Sequence, residues 1–313
     1  MTLLVTGATG HLGRLVIDSL LARGVAASDI VAGARDTAKA ADLAARGVTV
    51  VTLDYTEPAT IAAALDGVDS VLLISSSEVG QRAPQHQAVI DAAAAAGVTK
   101  FVYTSAPKAT TSDLVLAPEH KATEEAIAAA GLPAVILRNN WYTENYAADV
   151  VRARETGVIA ASVGEGRVAS ASRADFAEAA AVVLIEDGHI GQVYELAGDV
   201  AWTYAELAAA AAEVLGRDVT YQALSPEEHA AALEAAGLDA GTVGFVVALD
   251  AGIREGALAD TDGTLSRLIG RPTTRWSRGF ARWCDPRRRW GAAARTHWGG
   301  GSAPFFVCLR LAR

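Results

Sequence analysis

Short apolar runs and helical stretches alternate along the first half of the chain. Thr2–Thr6 predicts a strand and His11 to Arg23 a helix. Ile30–Ala34, Val48–Leu53, Val68–Ile74, Phe101–Thr104 and Ala134–Leu137 read as further strands. Helical patterns over Thr37–Ala45, Ala59–Leu65, Gln85–Ala96 and Glu119–Ala130 separate them, with Gly97 and Gly131 placed as closing residues. Strands that are apolar throughout, rather than alternating, are covered on both faces. With right-handed crossovers they form a doubly wound parallel sheet, an α/β fold of Rossmann type.

The second half is less regular. Ala174–Ile185 predicts a helix with Ser172 as its cap, and Val193–Leu196 a strand. Thr203-Tyr204-Ala205-Glu206 is a capping box opening a helix through Leu215. Val219–Gln222 predicts a strand, and Ser225-Pro226-Glu227-Glu228 opens a helix to Ala236. These elements predict a smaller α/β lobe: residues 1–150 mainly bind a dinucleotide, and residues 151–274 mainly form a substrate lobe in one compact unit.

Composition changes at Arg275. Residues 275–313 hold nine of the 27 basic residues, all Arg, and a single acid, Asp285. They also hold Trp276, Trp283, Trp290, Trp298 and both cysteines, Cys284 and Cys308. Residues 1–274 then carry a net charge of −17, against −9 for the whole chain. A basic, aromatic tail is compatible with a nucleic-acid or membrane arm. The simpler reading is a foreign, out-of-frame or disordered segment, which is set aside from the fold. The acidic body argues against nucleic acid as partner. No apolar run reaches the length of a membrane span. Two cysteines exclude a disulfide framework, and the scattered histidines exclude a metal site in the body. The expected compartment is the cytosol, and a homo-oligomer is left open.

The strongest local signal is Thr6-Gly7-Ala8-Thr9-Gly10-His11-Leu12-Gly13, between the first strand and the first helix. Gly7 permits a tight turn, Gly10 a close approach to a diphosphate, and Gly13 close helix–strand packing. The helix N-terminus then holds the phosphates. At the end of the second strand, where an NAD site carries an acid, stands Arg35, which suits a 2′-phosphate. NADP(H) is therefore preferred, with NAD(H) as a second cofactor. Asp54, ending the third strand, is a candidate acceptor for the adenine amino group, with a turn cap as the competing role. Ser75, Ser76 and Ser77 lie on the ligand edge of the fourth strand.

These residues resemble the short-chain dehydrogenase superfamily in its atypical NmrA-like branch, and within it the bacterial type 2 NAD(P)H:quinone oxidoreductases. The resemblance rests on TGATGHLG at 6–13, LLISSSEVGQRAPQHQAVIDAA at 72–93, LRNNWYTENY at 137–146, ASASRADFAEAAA at 169–181, YELAGDVAWT at 194–203 and LSRLIGRPTT at 265–274. It ends after Thr274. It implies cofactor contacts from Thr6 to His11, from Arg35, from Ser75 to Ser77, from Arg138, Asn139, Asn140, Trp141, Tyr142 and Thr143, and from Arg173. It also implies hydride transfer from NADPH to a quinone.

Ordinary members of the superfamily use a Tyr four residues before a Lys as proton donor. Here Lys121 follows Ala117, so that donor is missing. Tyr103 reads as core, and His120 is a weak substitute acid. A quinone tolerates the loss, because its reduced anion has a pKa of about 10, like tyrosine. Asn139, Tyr142 and Lys121 are the candidate catalytic residues, with Asn139 polarising the quinone oxygen. Two other functions fit the same fold: a non-enzymatic NADP(H) sensor, and a reductase of another small carbonyl compound.

Overall fold

A computed structural model of the chain describes residues 1–278. Its first half comprises β1 (Leu3–Val5), α1 (His11–Ala22), β2 (Ile30–Ala34), α2 (Ala41–Ala44), β3 (Thr49–Thr52), α3 (Pro58–Ala64), β4 (Ser70–Leu73), α4 (Arg82–Ala96), β5 (Lys100–Ser105), α5 (Ala117–Ala129) and β6 (Ala134–Asn139). The second half adds α6 (Ala147–Thr156), β7 (Val158–Ala161), β8 (Arg167–Val168), α7 (Arg173–Ile185), β9 (Val193–Leu196), β10 (Trp202–Thr203), α8 (Tyr204–Leu215), β11 (Thr220–Ala223), α9 (Pro226–Ala235), α10 (Ala240–Arg254) and α11 (Thr264–Ile269).

Seven parallel strands run in the order β3-β2-β1-β4-β5-β6-β9. The order reverses between β1 and β4, which opens a crevice at their carboxyl ends where ligands of such sheets bind. Period-two alternation sends Leu3 and Val5 into the layer under α1, α7 and α11, and Leu4 into the opposite layer under α3, α4 and α5. Both layers are apolar, so the doubly wound sheet expected from the continuous runs is what forms.

The second half interleaves with the first. α7, β9 and α11 return to the main sheet, with Phe176, Leu184, Leu196 and Leu265 in its core. The remaining elements build a lobe around Trp202, Tyr146, Tyr204, Leu207 and Ile253, with β7 paired to β11 and β8 to β10. Both capping boxes form, and Ser172 caps α7 by accepting from the Asp175 N–H. The helix expected over Thr37–Ala45 is a 3₁₀ turn at Thr37–Ala40 followed by one α-turn, because the Asp36 side chain accepts from the Ala38 N–H and tightens the start. No helical pattern was read for α6, α10 or α11. Small residues and Gly241, Gly244 and Gly252 blur the period of α10, and α6 buries only Val150 and Ala153.

The tail set aside at Arg275 lies outside the described residues from 279 onward. Its first part does not stand apart. Trp276 stacks on the buried Trp202 at 4.9 Å between ring centroids, so packing continues at least to that residue. Among the described residues no helix is long and apolar enough to cross a membrane.

Candidate active site

The glycine turn occupies the switch point. Gly7 has a φ of +58°, a left-handed conformation that an L side chain resists. Gly13 lies against the turn: a Cβ there would drive into the Gly7 carbonyl oxygen and come within 2.8 Å of the Ala8 Cα. The Ala8 N–H donates to the Gly33 carbonyl at 3.0 Å, fixing the turn to β2. Gly10 is the N-cap of α1; no side chain caps the helix and no acid stands in its first turn. Uncapped N–H groups and the helix dipole there suit an anion. His11 sits at this mouth, its pKa lowered by burial and then by Arg173 and Arg14. Leu12 points inward and is part of the core.

Thr6 does not offer its side chain to the crevice. It is buried, its Oγ1 accepts from the Ile74 N–H at 3.0 Å, and it pairs with the Tyr55 hydroxyl at 2.5 Å. Its part is to tie β1 to β4. Asp54 proves to be a turn cap: Oδ1 accepts from both the N–H and the hydroxyl of Thr56, at 2.9 and 2.8 Å, and these bonds lower its pKa. Arg35 projects from the end of β2 with its side chain 67% exposed, and pairs with Glu78 at 2.9 Å. Asp36, engaged with Ala38, does not compete for the ribose end.

Ser75, Ser76 and Ser77 leave β4 over a buried polar layer. The Ser75 N–H donates to Thr104 Oγ1 at 2.9 Å, and the Ser76 N–H to His86 Nε2 at 2.9 Å. His86 must therefore carry its proton on Nδ1 and donate it to Thr123 Oγ1, 2.9 Å away. Arg82, 3% exposed, donates from Nε to the Ser76 carbonyl at 2.6 Å. Sequence reading missed Arg82; a single Arg opening a helix gives no sign of burial.

The segment after β6 divides sharply. Arg138 forks onto Glu124 at 3.0 and 2.6 Å and reaches Glu195 at 2.9 Å and Thr110 at 3.2 Å. Glu124, and then Glu195, hold its pKa above the usual range. Asn140 bonds the Leu258 carbonyl at 3.2 Å and the Trp141 N–H at 2.6 Å. Thr143 is buried against Ser170 at 2.9 Å. The side-chain polar atoms of these three residues are thus engaged within the protein, Arg138 on α5 and β9 and the other two toward the lobe. Asn139 and Tyr142 remain. The Asn139 Oδ1 is buried without a hydrogen-bond partner. Tyr142 packs on Phe176 and lies beneath the Arg173 guanidinium, 4.7 Å from the ring centroid. Trp141 packs toward the lobe. Arg173 also reaches Asn145 at 2.8 Å.

Among the described residues, the two proton-donor candidates near α5 lie apart from the polar edge of the sheet. Lys121 is half exposed on α5 and pairs with Glu125 at 4.0 Å, on the helix side opposite the buried His120, Thr123 and Ile127. His120 lies in the interior. It is buried against the Tyr103 hydroxyl at 2.7 Å, and burial, then Arg82, brings its pKa down to about 3. Tyr103 is core, as expected, with its pKa raised by burial. Ser105 is bound to Glu124 at 2.5 Å.

The crevice thus presents the Gly7–His11 turn, the Ser75–Ser77 edge, Asn139, Tyr142, Arg35 and Arg173. A glycine cradle, an uncapped helix start and an orphaned amide oxygen fit a nicotinamide dinucleotide: diphosphate at α1, carboxamide near Asn139.

Comparison with known proteins agrees with this geometry. The NAD(P)H-binding family matches residues 7–187. Quinone oxidoreductase 2 of Escherichia coli is 53% identical over 270 residues, covering 86% of this chain and 94% of that protein. The crystal structure of an NADPH-dependent quinone oxidoreductase from E. coli complexed with NADPH superposes with a TM-score of 0.87 at 51% identity, covering 90% of this chain and 99% of that one. The Citrobacter triphenylmethane reductase complexed with NADP(H) superposes with a TM-score of 0.86 at 37% identity, covering 90% and 100%. The chain belongs to the NAD(P)H-binding family, in the NmrA-like group that its sequence resembles.

Proposed function

We propose that this protein is an NADPH-dependent quinone oxidoreductase whose site is the crevice between β1 and β4. The observation that carries the reading is the convergence of an uncapped, glycine-lined helix start with Arg173, Tyr142 and Asn139. When bound, the reduced nicotinamide supplies the hydride. The α1 N–H groups and Arg173 hold the diphosphate, and Arg35 takes the 2′-phosphate. Asn139 orients the carboxamide, its free Oδ1 accepting from the amide. Ser75–Ser77 line the ribose side.

The quinone lies over the nicotinamide position, between Tyr142 and the lobe at Trp141. Tyr142, its pKa raised by burial, keeps its proton and donates a hydrogen bond to the developing anion. Solvent then protonates the product, whose pKa of about 10 needs no dedicated acid. The rate rests on positioning, not on acid–base chemistry. The two cysteines and the acidic body favour a cytosolic setting.

The test is purified protein with NADPH and 1,4-benzoquinone, followed at the nicotinamide absorbance band. Loss of absorbance at a rate well above the protein-free reaction supports the enzyme. Tight NADPH binding without turnover supports the sensor.

A further inference from the structure

We infer that Glu78 limits the preference for the phosphorylated cofactor by competing with the 2′-phosphate for Arg35. The inference rests on the reading of Arg35 given above. Arg35 stands at the end of β2 and Glu78 in the loop after β4. β1 and its glycine turn lie between them, so the 2.9 Å ion pair spans the cofactor crevice.

The two partners are unequal. Glu78 is fixed: its second carboxylate oxygen accepts from Gln85 Nε2 at 2.8 Å, and its N–H donates to Ser76 Oγ at 3.2 Å. Gln85 is itself buried in the first turn of α4, with its Oε1 unpartnered. Arg35 is mostly exposed, and no other salt bridge holds its guanidinium among the described residues. The exposed cation can leave the more firmly held anion, and a dianionic phosphate at the end of β2 is the ligand that draws it away. A cofactor with a free 2′-hydroxyl has no charge with which to do so. A phosphorylated ribose must therefore displace Glu78 from Arg35, whereas an unphosphorylated one leaves the pair as it is. The same carboxylate weakens NADPH binding by the fraction of time the pair is closed.

The test is titration of NADPH and NADH into the full chain carrying Glu78→Gln, Arg35→Gln or neither, read by tryptophan fluorescence or calorimetry. With Glu78→Gln, NADPH should bind about three- to five-fold more tightly, the range expected of an exposed ion pair, while NADH is unchanged. Weaker NADPH binding would mean that Glu78 merely orients Arg35. An equal shift for both nucleotides, or no shift, would mean that it has no part in discrimination. Each of these overturns the inference. Arg35→Gln separates the two levels. If it abolishes the NADPH preference while Glu78→Gln leaves it unaltered, the competition is wrong and the phosphate reading stands. If it changes nothing, Arg35 does not read the phosphate and both fall.

Discussion

The guanidinium of Arg173 lies 4.7 Å above the ring of Tyr142, and its charge also lowers the pKa of His11 at the start of α1. One cation therefore joins the diphosphate end of the crevice to the nicotinamide end. Its backbone N–H is held by Glu144, at 3.0 and 3.1 Å to the two carboxylate oxygens. Replacing Arg173 with Ala should weaken NADPH and NADH alike, each by about tenfold, because both carry the diphosphate. Loss confined to NADPH in a binding titration would place Arg173 at the 2′-phosphate instead.

Lys121→Ala should leave quinone reduction within about two- to three-fold of the parent. The side chain is half exposed and held only by a surface pair with Glu125, the kind that contributes about 0.5 kcal/mol or less. A loss of several hundred-fold in kcat would show that the reaction depends on a lysine proton relay.

Gly13→Ala should cost about 1–3 kcal/mol of stability and most of the cofactor affinity, since its Cβ would push the Gly7 carbonyl out of the turn. Thermal unfolding and NADPH titration measure the two effects. An unchanged melting point would mean the turn is looser than its packing indicates.

His86 and His120 give the protein an acid sensitivity of definite sign. Burial, then Arg82, lowers both to about 3 in the folded state, whereas an unfolded chain protonates them near 6.5. Their neutral forms stabilise the fold fully above about pH 6.5, and that stability is lost as the pH falls toward 3. The slope is at most about 1.4 kcal/mol per pH unit for each residue. Urea unfolding between pH 7 and 5 should show a shallower loss in the His86→Gln/His120→Gln double variant. Parallel slopes would remove these histidines from the account.

The alternation of apolar runs and helices in the first half was enough to place the sheet, and the glycine spacing marked its switch point. Both signals are local: a strand buried on two faces and a turn that tolerates no Cβ leave their marks within a few residues. The segment from Arg138 to Thr143 shows where local reading stops. Its six residues are equally polar and equally near the ligand edge. Glu124, Glu195, Leu258 and Ser170, distant in sequence, engage the side chains of Arg138, Asn140 and Thr143. Lys121 makes a related point, since its spacing from Ala117 says nothing of which side of α5 faces water, and its side chain is half exposed. Arg82 and Glu78 escaped notice because burial and cross-loop pairing have no local period. Asp54 carries two readings in sequence, and the structure shows its Oδ1 engaged by the hydroxyl two residues on.

The central claim is that hydride passes directly from NADPH to a quinone in this crevice without an enzymic proton donor. The most direct test is single-turnover oxidation of bound NADPH by 1,4-benzoquinone, with hydrogen or deuterium at the transferred position. Rapid oxidation is expected, slowed by the heavier isotope, with a rate that does not follow the titration of any residue between pH 6 and 8. Bound NADPH that stays reduced in the presence of the quinone would contradict it.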